Sequence, residues 1–205
     1  MKIGILNYGV GNIGSVESAL DFLKADKLVI TELRQLKQVS SLIVAGVGHY
    51  KHAMELLSKS GFSDGLSEFA LIQKKPILGI CLGMQLFATT SQESGESIKG
   101  LNWIPGNVLK LNGKEKVPHM GWSKLNNVRG PLFRGVLNGP FYFMHSYHYS
   151  LENHNYISAS ALHGDLNFTA SVNKENIFGV QFHPEKSQGE GVRLLFNFIE
   201  IANGF

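Results

Sequence analysis

The feature that most constrains this chain is the segment Lys75-Pro76-Ile77-Leu78-Gly79-Ile80-Cys81-Leu82-Gly83-Met84-Gln85, an apolar run that breaks at a Gly-x-Cys-x-Gly turn and resumes with helical character. A strand that enters a sharp turn and then a helix projects one side chain from the carboxyl edge of its sheet. That geometry asks for small neighbours, and Gly79 and Gly83 supply them. Cys81, the single cysteine of the chain, takes the projecting position. Unpaired N–H groups at a helix start favour thiolate, the nucleophilic form of the side chain. Taken alone, a free cysteine is more often a small buried hydrophobe.

A second segment changes that balance. Phe178-Gly179-Val180-Gln181-Phe182-His183-Pro184-Glu185-Lys186 ends a strand-like run in a base and a carboxylate. His183 and Glu185 are two residues apart, so an extended backbone sends both side chains to one side. The carboxylate can then orient an imidazole whose other nitrogen faces a nucleophile, and Cys81, His183 and Glu185 make a hydrolytic triad. A His-Pro-Glu tripeptide by itself says little; its weight comes from the pairing with Cys81.

Acyl transfer also needs donors for an oxyanion. Ala45-Gly46-Val47-Gly48 follows an apolar strand, and its glycines let backbone N–H groups of Gly46 and Val47 turn toward a tetrahedral intermediate beside the N–H of Leu82. Without Cys81 the same residues read as an ordinary strand-to-helix turn.

One motif points elsewhere. Gly9-Val10-Gly11-Asn12-Ile13-Gly14 matches Gly-x-Gly-x-x-Gly after an expected strand, with Glu32 at about the distance of a ribose-binding acid. A dinucleotide-binding oxidoreductase is therefore the alternative from a different class. Against it, Asn7 and Tyr8 put a polar and a bulky group between the strand and the first glycine.

Apolar patterning predicts strands over 2–7, 28–31, 41–45 and 77–80, with helices over 15–23, 49–58 and 66–74 between them. This alternation implies an α/β fold with a mostly parallel, doubly wound sheet and a site at the carboxyl ends of its strands. After Gly100 the pattern changes to short strand-like runs near 108–111, 141–143, 156–161, 168–172 and 177–182, an antiparallel and mixed portion. A final helix over 191–202 places Val192, Leu195, Phe196 and Ile199 on one face. At 205 residues, 43% hydrophobic and 17% charged, the chain reads as one large domain spanning residues 1–205. The net charge of +3 is mild and scattered, which disfavours nucleic acid as a partner. No stretch reaches the roughly twenty apolar residues of a membrane span, and one cysteine fits a reducing compartment, so a cytoplasmic location is expected. His49 and His52, and His145 and His148, are spaced by three, but no cysteine or carboxylate cluster completes a metal set, and none is expected.

The segments around Cys81 and His183 resemble the motifs of the class I, or triad, glutamine amidotransferases. Val117-Pro118-His119-Met120-Gly121-Trp122, Tyr142-Phe143-Met144-His145-Ser146-Tyr147 and the ending through Ser187-Gln188 narrow the resemblance to the HisH family, glutaminase subunits of imidazole glycerol phosphate synthase. The resemblance covers nearly the whole chain. It implies hydrolysis of glutamine without a cofactor, in a heterodimer whose (β/α)8 synthase subunit receives the ammonia for histidine biosynthesis. It also implies that Gln85 and Glu93 face the amide and ammonium ends of glutamine. Ser146 and Tyr147 then approach its carboxylate, and Gly48 its amide oxygen. Trp122, Tyr142 and Lys186 are implied at the docking face, and His119 and His145 are read as satisfied polar residues near the site or that face. The chain departs from the family pattern at Ala45, where proline is usual in the oxyanion strand, and at Asn7 and Ser123, where Asp and Asn are common. A glycine-rich turn after the first strand is shared by this family, which binds no nicotinamide. Paralogues that feed sugar amidotransferases of surface polysaccharide synthesis remain an alternative, because the triad does not separate the two.

Overall fold

Short apolar runs separated by helix-length segments bury both faces of their strands only in a parallel sheet covered by helices. The computed structural model, which describes residues 1–112, 115–137 and 139–204, builds the first part of the chain in this way. In order it holds β1 (Ile3–Leu6), α1 (Ile13–Phe22), β2 (Lys27–Ile30), β3 (Ser41–Gly46), α2 (Tyr50–Lys59), α3 (Phe62–Ser67), β4 (Ile77–Cys81) and α4 (Leu82–Gln85). Every residue of β1, β3 and β4 is buried, as strands covered on both faces must be.

The second part adds β5 (Thr90–Ser91), β6 (Ile98–Lys99), β7 (Gly106–Lys110), β8 (His119–Ser123), β9 (Leu125–Asn126), β10 (Phe141–His145) and β11 (Tyr147–Leu151). It closes with β12 (Ile157–His163), β13 (Leu166–Lys174), β14 (Ile177–Val180) and α5 (Gln188–Asn203). The main sheet runs β2-β1-β3-β4-β14-β13-β11-β7-β5-β6, while β8 and β10 pair as a separate ribbon. Side chains of α2 and α3 join the core on one face of the sheet, and those of α1 and α5 the core on the other. The doubly wound parallel core and the antiparallel portion expected from sequence are both present.

The run over 177–182, expected within the antiparallel and mixed portion, is where that portion joins the parallel core. β14 stops at Val180 and is the fifth strand of the parallel core: it runs parallel to β4, with Val180 opposite Ile80, and antiparallel to β13. A hairpin from β13 returns the chain into the gap beside β4. Because parallel strands end at one edge, Cys81 and the residues after Val180 leave the sheet side by side.

Two helices also differ from expectation. The helix over 66–74 begins earlier, at Phe62, and finishes as a π turn over Glu68–Ile72. The buried stripe of α5 is Gly191, Leu194, Leu195, Phe198 and Ala202, so of the expected face only Leu195 is fully inside. Phe196 is exposed beneath the Arg193 guanidinium. Gly191 sets this rotation, since a Cβ there would lie 1.9 Å from the Pro184 carbonyl oxygen.

Candidate active site

The nucleophile position is built by close contact. β4 lies between β3 and β14, and Gly46 of β3 stands opposite Cys81. At Cys81 the backbone turns to φ 54°, ψ −111°, a conformation that costs a non-glycine residue about 1–3 kcal/mol and persists only where neighbours enforce it. The glycines permit that enforcement: a Cβ on Gly79 would sit 2.6 Å from the Met84 nitrogen, and one on Gly83 only 1.8 Å from the Val44 oxygen. α4 is a single turn, so it brings no long macrodipole to the sulfur.

His183 and Glu185 do meet, but by a different route from the one inferred. Pro184 starts a 3₁₀ turn over Pro184–Lys186, so Glu185 swings back on a turn rather than along an extended strand. Its Oε1 accepts a hydrogen bond from His183 Nδ1 at 2.8 Å, and the two side chains are 2% and 3% exposed. The His183 N–H donates to the Tyr142 carbonyl at 2.9 Å, and Ser187 Oγ donates to the His183 carbonyl at 2.6 Å, which fixes the turn. His183 Nε2 makes no hydrogen bond of normal geometry, leaving it free for proton transfer. Burial works against a charged imidazole, but Cys81 on one side and the Glu185 carboxylate on the other outweigh it and push His183 up to about 10.

A cavity of about 240 Å³ opens over the sulfur. Val47, Gly48, Leu82, Gln85, Glu93, Ser146 and Tyr147 line it with Cys81, together with Pro118, Met144 and His145. Gly46, His183 and Glu185 lie behind this lining. The volume suits a small polar molecule and falls below the ~300–1,000 Å³ of typical drug-sized sites. Gly48 takes φ +109°, a backbone that glycine adopts freely and that turns the 46–48 segment at the cavity rim. Glu93 is anchored where its charge is favoured, at the start of α2: its Oε2 accepts the Tyr50 N–H at 2.5 Å. The Tyr147 hydroxyl donates to the Glu93 carbonyl at 3.3 Å, tying the two sides of the cavity rim together.

Sequence reasoning missed Gln181. It is fully buried, donates from Nε2 toward Cys81 Sγ at 3.6 Å, and accepts at Oε1 from Gln85 Nε2 at 2.8 Å. Gln85 Nε2 also donates to the Tyr147 carbonyl at 3.0 Å. A glutamine inside an apolar run, two residues before the histidine, was the readable signal, because a buried amide must find partners.

The glycine-rich turn after β1 serves the site from below. Gly11, at φ +116°, lets the chain pass so close to β3 that a Cβ would lie 2.6 Å from the Ala45 oxygen. Ala45 itself stays in strand register opposite Ile80. The Tyr8 hydroxyl is buried against Gly46, and burial, then the charge of Cys81, raises its pKa and keeps it protonated. Glu32 caps the 3₁₀ turn Leu33–Gln38 in a capping box with Gln35. The glycines thus seat the strand that leads to Gly46, and the Glu32 carboxylate is paired with Arg34.

Trp122 and Tyr142 stand opposite each other on β8 and β10, their rings edge to face at 5.7 Å, with Trp122 47% exposed. Lys186 ends the turn that packs against β10. His49 and His52 lie exposed at the start of α2. Among the described residues, no group of three or more His, Cys, Asp or Glu side chains is arranged to hold a metal ion, and no helix is long and apolar enough to cross a membrane.

With this geometry in place, the similarities to known proteins are informative. The family described as "Glutamine amidotransferase class-I" matches residues 13–202. The chain is 41% identical to "Imidazole glycerol phosphate synthase subunit HisH" of Leptospira interrogans, over 97% of this chain and 100% of that protein. It is 45% identical to the protein of the same name from Oceanobacillus iheyensis, over 97% and 98% of the two chains. A "subunit HisH 1" of Campylobacter jejuni strain RM1221 is 42% identical, over 97% and 100%. Among solved structures, PurLQS of Thermotoga maritima aligns with a TM-score of 0.75 at 17% identity, covering 98% of each chain. The glutaminase domain of Trypanosoma brucei CTPS aligns at 0.67 and 16%, covering 100% of this chain and 94% of that one. At those identities the two structures attest the fold.

Proposed function

Because this chain belongs to the class I glutamine amidotransferases and is HisH-like among them, we propose that residues 1–205 form one glutaminase domain that supplies ammonia to a (β/α)8 synthase subunit making imidazole glycerol phosphate. The observation that carries the chemistry is the strained Cys81 turn beneath a small cavity, with the hydrogen-bonded His183–Glu185 pair buried beside it.

With its proton already resting on His183 Nε2, the Cys81 sulfur attacks the carboxamide carbon of glutamine as a thiolate. N–H groups of Gly46, Val47 and Leu82 hold the oxyanion of the tetrahedral intermediate. His183 returns its proton to the departing nitrogen as the C–N bond breaks, which releases ammonia and leaves a γ-glutamyl thioester. Water, deprotonated by the same imidazole, attacks the thioester carbon, the C–S bond breaks, glutamate is released, and Cys81 returns as thiolate beside the protonated His183. Glu185 keeps Nδ1 protonated and the ring in place throughout. Glu93 faces the ammonium group of the substrate, Gln85 its amide end, Gly48 its amide oxygen, and the 146–147 backbone its carboxylate. No cofactor enters any step.

Ammonia released into water is protonated and lost, so the reaction is useful beside an acceptor site. Trp122, Tyr142 and Lys186 form the face that docks the synthase partner in a cytoplasmic heterodimer. Glutamate release should be measured for the chain alone, with the synthase partner, and with that partner plus its cyclase ligand, using Cys81→Ala as control. Release that rises when partner and ligand are both present supports the assignment. Release that responds to the partner but ignores the ligand points to the sugar-amidotransferase paralogue, and no release in any setting removes the glutaminase reading.

A further inference from the structure

β8 is half exposed and half buried, with a period of two. Met120 and Trp122 face outward, at 61% and 47% exposure, while His119 and Ser123 face inward. His119 stands directly opposite His145 of β10. Two buried imidazoles in contact would repel if both were charged, yet here they join a continuous chain of hydrogen bonds. Ser123 Oγ lies 3.0 Å from His119 Nε2, His119 Nδ1 lies 3.1 Å from His145 Nε2, and His145 Nδ1 lies 2.8 Å from the Tyr147 carbonyl oxygen.

The chain of hydrogen bonds assigns every proton. The Tyr147 carbonyl only accepts, so His145 carries its proton on Nδ1 and its Nε2 is a bare acceptor. His119 must then donate from Nδ1, which leaves its Nε2 to accept from the Ser123 hydroxyl. Both rings are neutral, consistent with burial and neighbouring histidines holding His119 down to about 4 and burial holding His145 down to about 3. His119 also stacks on Phe143 at 5.0 Å and on His163 at 4.4 Å. The Tyr147 carbonyl accepts from Gln85 as well, so both of its lone pairs are taken and its peptide plane cannot turn.

We propose that His119 and His145 are positioning residues, a pair of neutral imidazoles that hold the 144–147 wall of the cavity in the orientation that receives the amino-acid end of the substrate. The proposal rests on the glutaminase reading above. It also gives Ser123 a role as the terminal donor of the relay. A second arm, from the Tyr147 carbonyl through Gln85 and Gln181 to the Cys81 sulfur, makes the wall and the nucleophile parts of one hydrogen-bonded network.

The test uses two substitutions in the complex with the synthase partner. His119→Phe keeps the ring shape and the stack on Phe143 but removes both nitrogens. His119→Asn loses bulk and keeps an amide N–H for His145 Nε2. Loss of the two hydrogen bonds that His119 makes to His145 and Ser123 predicts a KM for glutamine raised about tenfold in His119→Phe, with kcat changed less than about twofold. His119→Asn should recover KM to within about threefold of the parent. Nitrogen NMR of the ring signals of the unmodified chain should show both histidines neutral and protonated on Nδ1. An unchanged KM in His119→Phe, or either ring protonated on Nε2, overturns the proposal. If the parent complex releases no glutamate, the glutaminase reading fails and takes this inference with it; if the parent turns over while His119→Phe keeps its KM, the inference fails alone.

Discussion

On one side of the cavity Cys81 is held by contact, with backbone atoms 2.6 and 1.8 Å from where a Cβ on Gly79 or Gly83 would lie. On the opposite side the 144–147 wall is held by hydrogen bonds from Gln85, His145 and, one step removed, His119. The two walls meet at the same sulfur, since Gln181 Nε2 approaches it from one direction and the Met144 carbonyl, at 3.9 Å, from another. A wall fixed by steric exclusion has one geometry or none. A wall fixed by a polar network can shift a peptide plane when a donor is lost. In the function proposed above, bond breaking falls to the sterically fixed wall and substrate recognition to the hydrogen-bonded one.

The comparison is broken most severely from the contact side. Gly83→Ala drives a methyl group into the Val44 carbonyl, and the expected loss is about 3 kcal/mol or more, read as a lower denaturant midpoint or failure to fold. A variant that folds normally would show that this wall is less rigid than its distances imply. Glu185→Gln leaves packing intact but removes the charge that holds His183 Nδ1–H. It should lower kcat for glutamine by about 10²–10⁴-fold with KM within a few-fold, measured in the synthase complex.

On the hydrogen-bonded side the expected effects are smaller and depend on pH. His119 and His145 are bases whose folded values, about 4 and about 3, lie below the ordinary 6.5, with His163 and His148 facing them. As pH falls, the unfolded chain takes up these protons first. Their contribution to stability is complete above about 6.5 and is lost as pH drops toward 4 and 3. The unfolding midpoint should fall between pH 7 and pH 5, and fall less in His119→Phe; equal slopes would separate these rings from the acid response. Smallest of all is Trp122→Ala. It should leave the midpoint of the isolated chain within about 2 °C while weakening association with the synthase partner about tenfold, by calorimetric titration.

The same division explains what could be read from the residues in advance. The Gly-x-Cys-x-Gly turn announces itself because steric exclusion acts between neighbours in sequence, and β1, β3 and β4 because double burial makes them apolar throughout. The direction of β14 could not be read that way, since a run such as 177–180 is equally apolar in parallel and antiparallel pairings. Glu185 reached His183 by a proline-started turn that two-residue alternation does not foresee. β8 was passed over because its mixture of histidine, glycine and tryptophan lacks a clean period. Its role depends on the cross-strand pairing of His119 with His145 of β10, 26 residues away. Gln181 was legible in principle as a polar residue in an apolar run, but its partners Gln85 and Cys81 lie about a hundred residues away in the chain.

The most direct test of the account is a covalent one. The synthase complex should be treated with a diazoketone analogue of glutamine, digested, and examined by mass spectrometry for the modified peptide. The account predicts a single adduct on Cys81, suppressed by excess glutamine and missing in Cys81→Ala. An adduct on another residue, or labelling of Cys81 that glutamine does not suppress, would contradict the assignment of this cysteine and this cavity to glutamine hydrolysis.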